Sequence, residues 1–359
     1  MKPKSVRKEL FFFALFDRFI KDSDKGKRLQ PNGKRISIGT VANYDYTRKL
    51  LQAFSRQKNF ELRIRPARYL NRRELETEKN YWKKFYKRFT DYLYNDCGHY
   101  DNYAGATIKN IKVFFNYLNK ELALGVGDFH KLFYVRKEEI AIFPLMPDEL
   151  NFLINNKEFE NTITKRMREV KDFFVFGCTV ALRVSDLLNL KRSNIRVTNN
   201  QYYLSVRAIK TGTDSLIKLP PHAVDIISKY DKQKKLLPHF NKSNLNKYIK
   251  QLLELAGFTH SVQLTREKRG QLMDLKKSNR VVLAKQIRFC DAASTHTMRR
   301  TAITTMLSLG VSEQVVRKIS GHAPGSKEFY RYVLWAQTYQ DQETEKMFAR
   351  LQEIKLDVA

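Results

Sequence analysis

"CTVALRVSDLLNL", residues 178–190, joins an apolar run to an arginine and a Ser–Asp pair. The run predicts a buried helix ending near Ala181, and Ser185 with Asp186 predicts the cap of the next helix. Arg183 then stands beside a helix N-terminus in an apolar setting, where its charge adds to the positive end of the helix dipole and makes an anion site. The plainer reading pairs Arg183 with Asp186.

Downstream, "YYLSVRAI" (202–209) and "SLIKLP" (215–220) flank the turn "KTGTD" and predict a strand pair, with Gly212 supplying the turn conformation and Lys210 at its edge. "STHTMRRTAITTMLSLG" (294–310) predicts a helix capped by Ser294 or Thr295. His296 and Arg299 then lie three apart on one face, a proton-transfer group beside a fixed cation. "GVSEQVVRKISGH" (310–322) has the spacing of a helix-turn-helix and ends on Gly321 and His322. Tyr330 and Tyr332 follow in "GHAPGSKEFYRYV" (321–333). Each of these has a bland reading taken singly: a solvated basic turn, a structural histidine, packing aromatics.

Upstream, helical spacing predicts one helix over 6–20 and another over "VANYDYTRKLLQAF" (41–54) with Thr40 as N-cap. Two more are expected over 76–95 and 103–121. Residues 122–144 carry Gly125, Gly127 and a possible short strand, "KLFYVRK" (131–137), and Pro147 with Asp148 and Glu149 opens a new helix. The fold class expected is mainly α with a small β-hairpin, in two domains.

Charge narrows the partner. Lys and Arg number 67 against 37 Asp and Glu, a formal net charge of +30 spread along the chain. A polyanion is implied, nucleic acid ahead of an anionic membrane. Cys97, Cys178 and Cys290 lie far apart and suit neither a disulfide framework nor a zinc site, which points to a reducing compartment. The apolar run "LFFFALF" (10–16) is too short for a signal sequence or a membrane span, so a cytoplasmic protein is expected.

Arg183, Lys210, His296, Arg299, His322 and a tyrosine, in that order, resemble the tyrosine recombinase (phage integrase) family, through "LRVSDLL", "KTG", "HTMRR" and "SGH" in series. The resemblance spans the whole chain and is closest to integrases of Bacteroidetes mobile elements. It implies a helical, SAM-like core-binding domain over 1–125, a linker over 126–144, and a catalytic domain over 145–359 whose C-terminal tail, with Leu334, Trp335, Met347, Phe348 and Leu351, docks on a neighbouring protomer. A separate arm-site-binding domain is expected to be missing. Two departures stand out. Asp186 occupies a position where glutamate is commoner, and neither Tyr330 nor Tyr332 falls at the usual nine residues after His322. Tyr332 is the expected nucleophile because "FYRYV" fits the family's ending there; Tyr330 is the alternative.

What the resemblance implies is site-specific recombination of double-stranded DNA through a 3′-phosphotyrosyl intermediate. Arg183 and Arg299 would hold the phosphate, His296 would help deprotonate the phenol, Lys210 would protonate the leaving 5′-oxygen, and His322 would hydrogen-bond the phosphate. Neither metal nor ATP is expected. The domains would clamp the duplex, with base reading in the first domain and in residues 263–288, and the assembly would be a tetramer on two DNA sites. Accessory DNA-bending or directionality proteins and a bacterial, nucleoid-associated location complete the expectation. Rival readings are a chromosome- or plasmid-dimer resolvase of the Xer kind, a non-catalytic helix-turn-helix regulator, and a metal-dependent nuclease, which would need clustered carboxylates.

Overall fold

The structure, a computed structural model, describes residues 10–356 other than 274, 278–279 and 283–284, with side chains described through 273 and from 286 to 348. The chain forms two compact units: Met1–Ile140 with Thr265–Ala284, and Ala141–Leu264 with Lys285–Ala359.

Among the described residues, four α-helices build the first unit: α1 (Phe12–Asp24), α2 (Ile38–Gln57), α3 (Arg72–Asp91) and α4 (Asp101–Lys120). Their inner faces are aromatic. Phe16, Phe54, Trp82, Phe85, Phe89 and Phe114 are all essentially excluded from solvent, and edge-to-face pairs such as Trp82 with Phe115, centroids 4.8 Å apart, add to the burial. A capping box starts α3: Asn71 accepts from the Glu74 N–H at 2.9 Å while Glu74 accepts from the Asn71 N–H at 3.0 Å.

Several boundaries differ from expectation for local reasons. Leu10 and Phe11 pair as a strand (β1) with Arg63–Ile64 (β2), so the first helix starts at Phe12; residues 6–9 lie outside the described residues. Helix α2 begins at Ile38, because Ser37, in extended backbone, caps it by accepting from the Thr40 N–H; Thr40 is inside the helix. The expected strand at 131–137 is a 3-10 turn, Phe129–Leu132, followed by chain that pairs with no strand among the described residues. That chain packs instead: Phe133 enters the core, and the Arg136 carbonyl runs so close to α4 that a Cβ on Gly105 would lie 1.9 Å from it. Residues read from the sequence as linker thus pack with the first unit as far as Ile140.

Thr265–Ala284 returns to this unit from far along the chain as two short hairpins, Glu267–Lys268 with Gln271–Leu272 and Leu275–Lys277 with Arg280–Val282. The attachment is polar. Buried Asp101 accepts from the backbone N–H groups of Arg269 and Gly270, 2.7 Å each, and from the Tyr94 hydroxyl at 2.7 Å. Buried Glu138 accepts from Arg266 Nη2 and from the Glu267 N–H, both at 2.7 Å. Backbone donors and a guanidinium together satisfy two carboxylates that would otherwise be costly to bury.

The second unit is built round α7 (Lys165–Val180), which is buried on every side from Val170 to Cys178 and is therefore central. It is preceded by α5 (Pro147–Asn155) and α6 (Lys157–Thr162) and followed by α8 (Val184–Leu187), α9 (Pro221–Ser228), α10 (Lys242–Leu255), α11 (Phe289–Ala292), α12 (Thr295–Ser308), α13 (Glu313–Ser320) and α14 (Lys327–Leu356). A three-stranded antiparallel sheet joins Ile195–Thr198 (β3), Gln201–Arg207 (β4) and Asp214–Lys218 (β5) in that order; the β4–β5 hairpin is the expected one and β3 extends it. Ser261–Leu264 pairs with Lys285–Arg288, closing the base from which the returning hairpins leave. Helices α7 and α12 approach so closely at Gly177 that a Cβ there would lie 2.5 Å from Met298 Sδ. That contact sets the helix carrying His296 and Arg299 against the core.

Candidate active site

Helix α7 ends at Ala181, which takes a left-handed conformation (φ 55) and leaves its carbonyl free of the helix. Arg183 follows in extended backbone as the N-terminal cap position of α8; Ser185 and Asp186, the expected caps, lie within that helix. Among the described residues no ion pair joins Arg183 to Asp186. Asp186 is buried and turns the other way: its Oδ1 accepts from the Ile209 N–H at 3.0 Å, while its Oδ2 has no partner. It thereby pins the tip of the β4–β5 hairpin, where exposed Lys210 follows Ile209 and Gly212 adopts φ 70. Ser215 holds the far strand by donating to the Lys318 carbonyl of α13 at 3.2 Å.

Ser294 caps α12, accepting from the His296 N–H at 3.3 Å and donating its own N–H to Thr297 Oγ1 at 3.0 Å. His296 is on the exposed side of the first turn. Desolvation, then the charges of Arg300, Arg299, Lys242 and Lys210, holds its pKa below the usual histidine range.

Arg299 is only 7% exposed. Its Nη1 donates to the Ala181 carbonyl at 2.8 Å and its Nη2 to the Ser320 carbonyl at 2.6 Å, so one guanidinium ties together two helix C-terminal ends, where a cation is favoured. Burial and the neighbouring Arg183 push its pKa down to about 10, against the opposing pull of Tyr332 and Asp186.

Gly321 ends α13 with φ 64, and His322 leaves it with Nδ1 2.8 Å from Ser320 Oγ and Nε2 3.3 Å from Arg299 Nη2. Burial, then the charges of Arg299, Arg183 and Arg317, pushes His322 down to about 3, so its ring is neutral at pH 7. The Tyr332 ring lies beside it, centroids 5.9 Å apart, and the Tyr332 hydroxyl faces Arg300, the next residue of α12. Tyr330 points elsewhere: it is 52% exposed, with the Arg317 guanidinium 5.5 Å from its ring centroid. Beside the cluster, Thr211, Thr213, Arg317, Lys318, His322 and Pro324 line an open cleft of about 770 Å³.

Arg183, Lys210, His296, Arg299, His322 and Tyr332 therefore all fall in the second unit, linked through Arg299 and its neighbours; Tyr330 lies outside the cluster. Sequence reasoning missed Ser320, which touches both Arg299 and His322, and Arg300, which faces the phenol. It also misjudged what Asp186 holds. Ser320 was visible only as the first letter of "SGH", and nothing in the spacing separates Arg300 from its neighbour. No group of three or more His, Cys, Asp or Glu among the described residues could hold a metal ion. Unneutralised arginines, a neutral imidazole and a phenol at one place can hold a tetrahedral anion and present a nucleophile to it.

Known proteins share this fold. The chain is similar in fold to a lambda integrase dimer bound to a COC′ core site, with TM-score 0.57 and 13% identity over 90% of this chain and 77% of that one. It is similarly close to a XerH site-specific recombinase bound to difH substrate, TM-score 0.56 and 13% identity over 89% and 91%. A lambda integrase tetramer bound to a Holliday junction matches with TM-score 0.56 and 13% identity over 90% and 78%. No curated protein sequence matches the chain. The model of the phage integrase family matches residues 145–334, more than half the chain and every residue of the cluster. The chain belongs to the phage integrase family, the tyrosine recombinases.

Proposed function

We propose that this protein is a site-specific DNA recombinase that cuts and rejoins strands through a 3′-phosphotyrosyl link to Tyr332, serving integration, excision or inversion of a mobile element. The observation that carries the choice of nucleophile is the position of the Tyr332 ring against His322, with its hydroxyl facing Arg300, while Tyr330 is exposed on Arg317.

The Tyr332 oxygen attacks the phosphorus, the phenol proton passes to His296, and the bond to the 5′-oxygen breaks. Arg183 and Arg299 face the non-bridging oxygens, whose charge grows in the transition state. An alkoxide is a much poorer leaving group than a phenolate, so Lys210, carried to the site by the hairpin that Asp186 pins, protonates it. Strand energy is kept in the covalent link, and a 5′-hydroxyl reverses the step without ATP or a metal. A net charge of +30 supports wide phosphate contact with double-stranded DNA, and the working unit is a tetramer on two sites, acting in the cytoplasm on the nucleoid.

Covalent trapping tests this reading. The protein is incubated in EDTA with supercoiled DNA carrying the gene's own flanks and quenched with detergent. An adduct from wild type and Tyr330→Phe, absent from Tyr332→Phe, is the expected result. Loss in Tyr330→Phe alone would move the nucleophile; adduct only with added divalent metal would overturn the chemistry.

A further inference from the structure

Ser320 is 3% exposed at the end of α13, and all of its polar atoms are committed within the cluster. Its carbonyl takes Arg299 Nη2 at 2.6 Å, and its hydroxyl donates to the Val316 carbonyl at 2.6 Å. A serine hydroxyl has one proton. With that proton on Val316, the 2.8 Å contact to His322 Nδ1 requires Nδ1 to be the donor. Arg299 Nη2, which can only donate, is nearly equidistant from the two ring nitrogens, 3.3 Å from Nε2 and 3.4 Å from Nδ1, and does not tell them apart. The Ser320 contact selects the neutral form with the proton on Nδ1 and the lone pair on Nε2.

We propose that Ser320 is a positioning residue that locks His322 in the Nδ1–H tautomer, so that the site takes up one proton at Nε2 when it closes on a phosphate. This rests on the phosphodiester reading above and deepens it. A lone pair at Nε2 repels a phosphate oxygen, whereas an N–H there donates to it. The proton comes from solvent, no other bond changes, and the positive charge gained is offset by the anion. The groups facing His322 are Arg299 from α12, Arg183 from the start of α8 and Arg317 from α13, with the Phe329 and Tyr332 rings from α14. All three charges are positive, which keeps the empty site unprotonated, and a bound anion lessens that penalty.

The test is nitrogen-15 NMR of the His322 ring in the full chain, with inorganic sulfate as a phosphate mimic that does not itself titrate near neutrality. Wild type is expected to show Nδ1–H without sulfate, and sulfate is expected to raise the His322 pKa by at least one unit. Ser320→Ala removes the acceptor and should shift the free ring toward Nε2–H; Ser320→Thr, which keeps the hydroxyl, should restore the wild-type pattern. Nε2–H in free wild type, or a His322 pKa unmoved by saturating sulfate, would overturn the proposal, and wild type alone suffices for both. Detergent trapping of the same proteins, without sulfate and with the supercoiled DNA described above, separates the two failures. Adduct with no tautomer lock sinks this inference alone, and no adduct sinks the phosphodiester reading.

Discussion

Arg299 joins stability to chemistry in one guanidinium, because the nitrogens that would meet a phosphate already hold the Ala181 and Ser320 carbonyls. Lysine offers no fork. Arg299→Lys should therefore lower adduct formation by about 10²–10³-fold, the scale of losing one oxyanion donor, and also lower the urea midpoint, because a buried carbonyl goes unmet. His322 supplies a pH dependence of the same sign as a salt-bridged carboxylate, set in a higher pH window. Its folded pKa of about 3 lies below the ordinary 6.5, so between those values the unfolded chain binds a proton that the native one does not. Stability from this group is complete above pH 6.5 and falls as pH drops toward 3. Urea unfolding at pH 7 and pH 4.5 should show the loss, and His322→Gln should make it smaller. Arg183, Lys210, His296, Arg299, His322 and Tyr332 were proposed for the site from the sequence, because their types and order are strung on capped helices and a Gly-bearing turn. Asp186 was not. Its i+3 spacing from Arg183 suggests an ion pair, and only the fold shows a backbone N–H from the hairpin in its place.

Among the elements, the hairpin carries Lys210 and α12 carries His296, the two residues proposed to transfer protons. Asp186→Ala should free the hairpin tip. Hydrogen exchange at residues 208–213 should rise, and cleavage should slow with DNA affinity unchanged. A substrate with sulfur in place of the bridging 5′-oxygen, which leaves without a proton, should recover most of that loss, as it should for Lys210→Ala. If sulfur rescues neither variant, Lys210 is not the acid. The α7–α12 contact is set by the missing side chain of Gly177, and Gly177→Ala should cost about 1–3 kcal/mol by overpacking against Met298, measurable as a lower urea midpoint. Helix periodicity made the long helices readable from the sequence, but their ends were set by side-chain caps such as Ser37 and by β1 pairing with β2. Helix α14 is one continuous element from Lys327 to Leu356; Gln340 donates to the Leu307 and Ser308 carbonyls, and beyond it Met347 and Phe348 stand exposed.

At the scale of the whole molecule, charge and chain path dominate. With 67 basic residues, affinity for duplex DNA should fall steeply and linearly in log salt, as each phosphate contact releases a counterion; a flat salt series in a filter-binding assay would contradict this. Two units were expected from the sequence; the return of residues 265–284 to the first was not. Their attachment uses backbone N–H groups and scattered charges, which leave no periodic mark, and base reading expected across residues 263–288 falls partly on residues outside those described. Asp101→Ala should strip exchange protection from residues 266–272 while leaving residues 295–320 as they were. Because the chain passes from one unit to the other at 140, 264 and 284, the first unit is not encoded by a single stretch. A chimera that exchanges residues 1–140 alone would part Asp101 and Glu138 from their partners at 266–270, so the units can be traded between recombinases only if both pieces travel together.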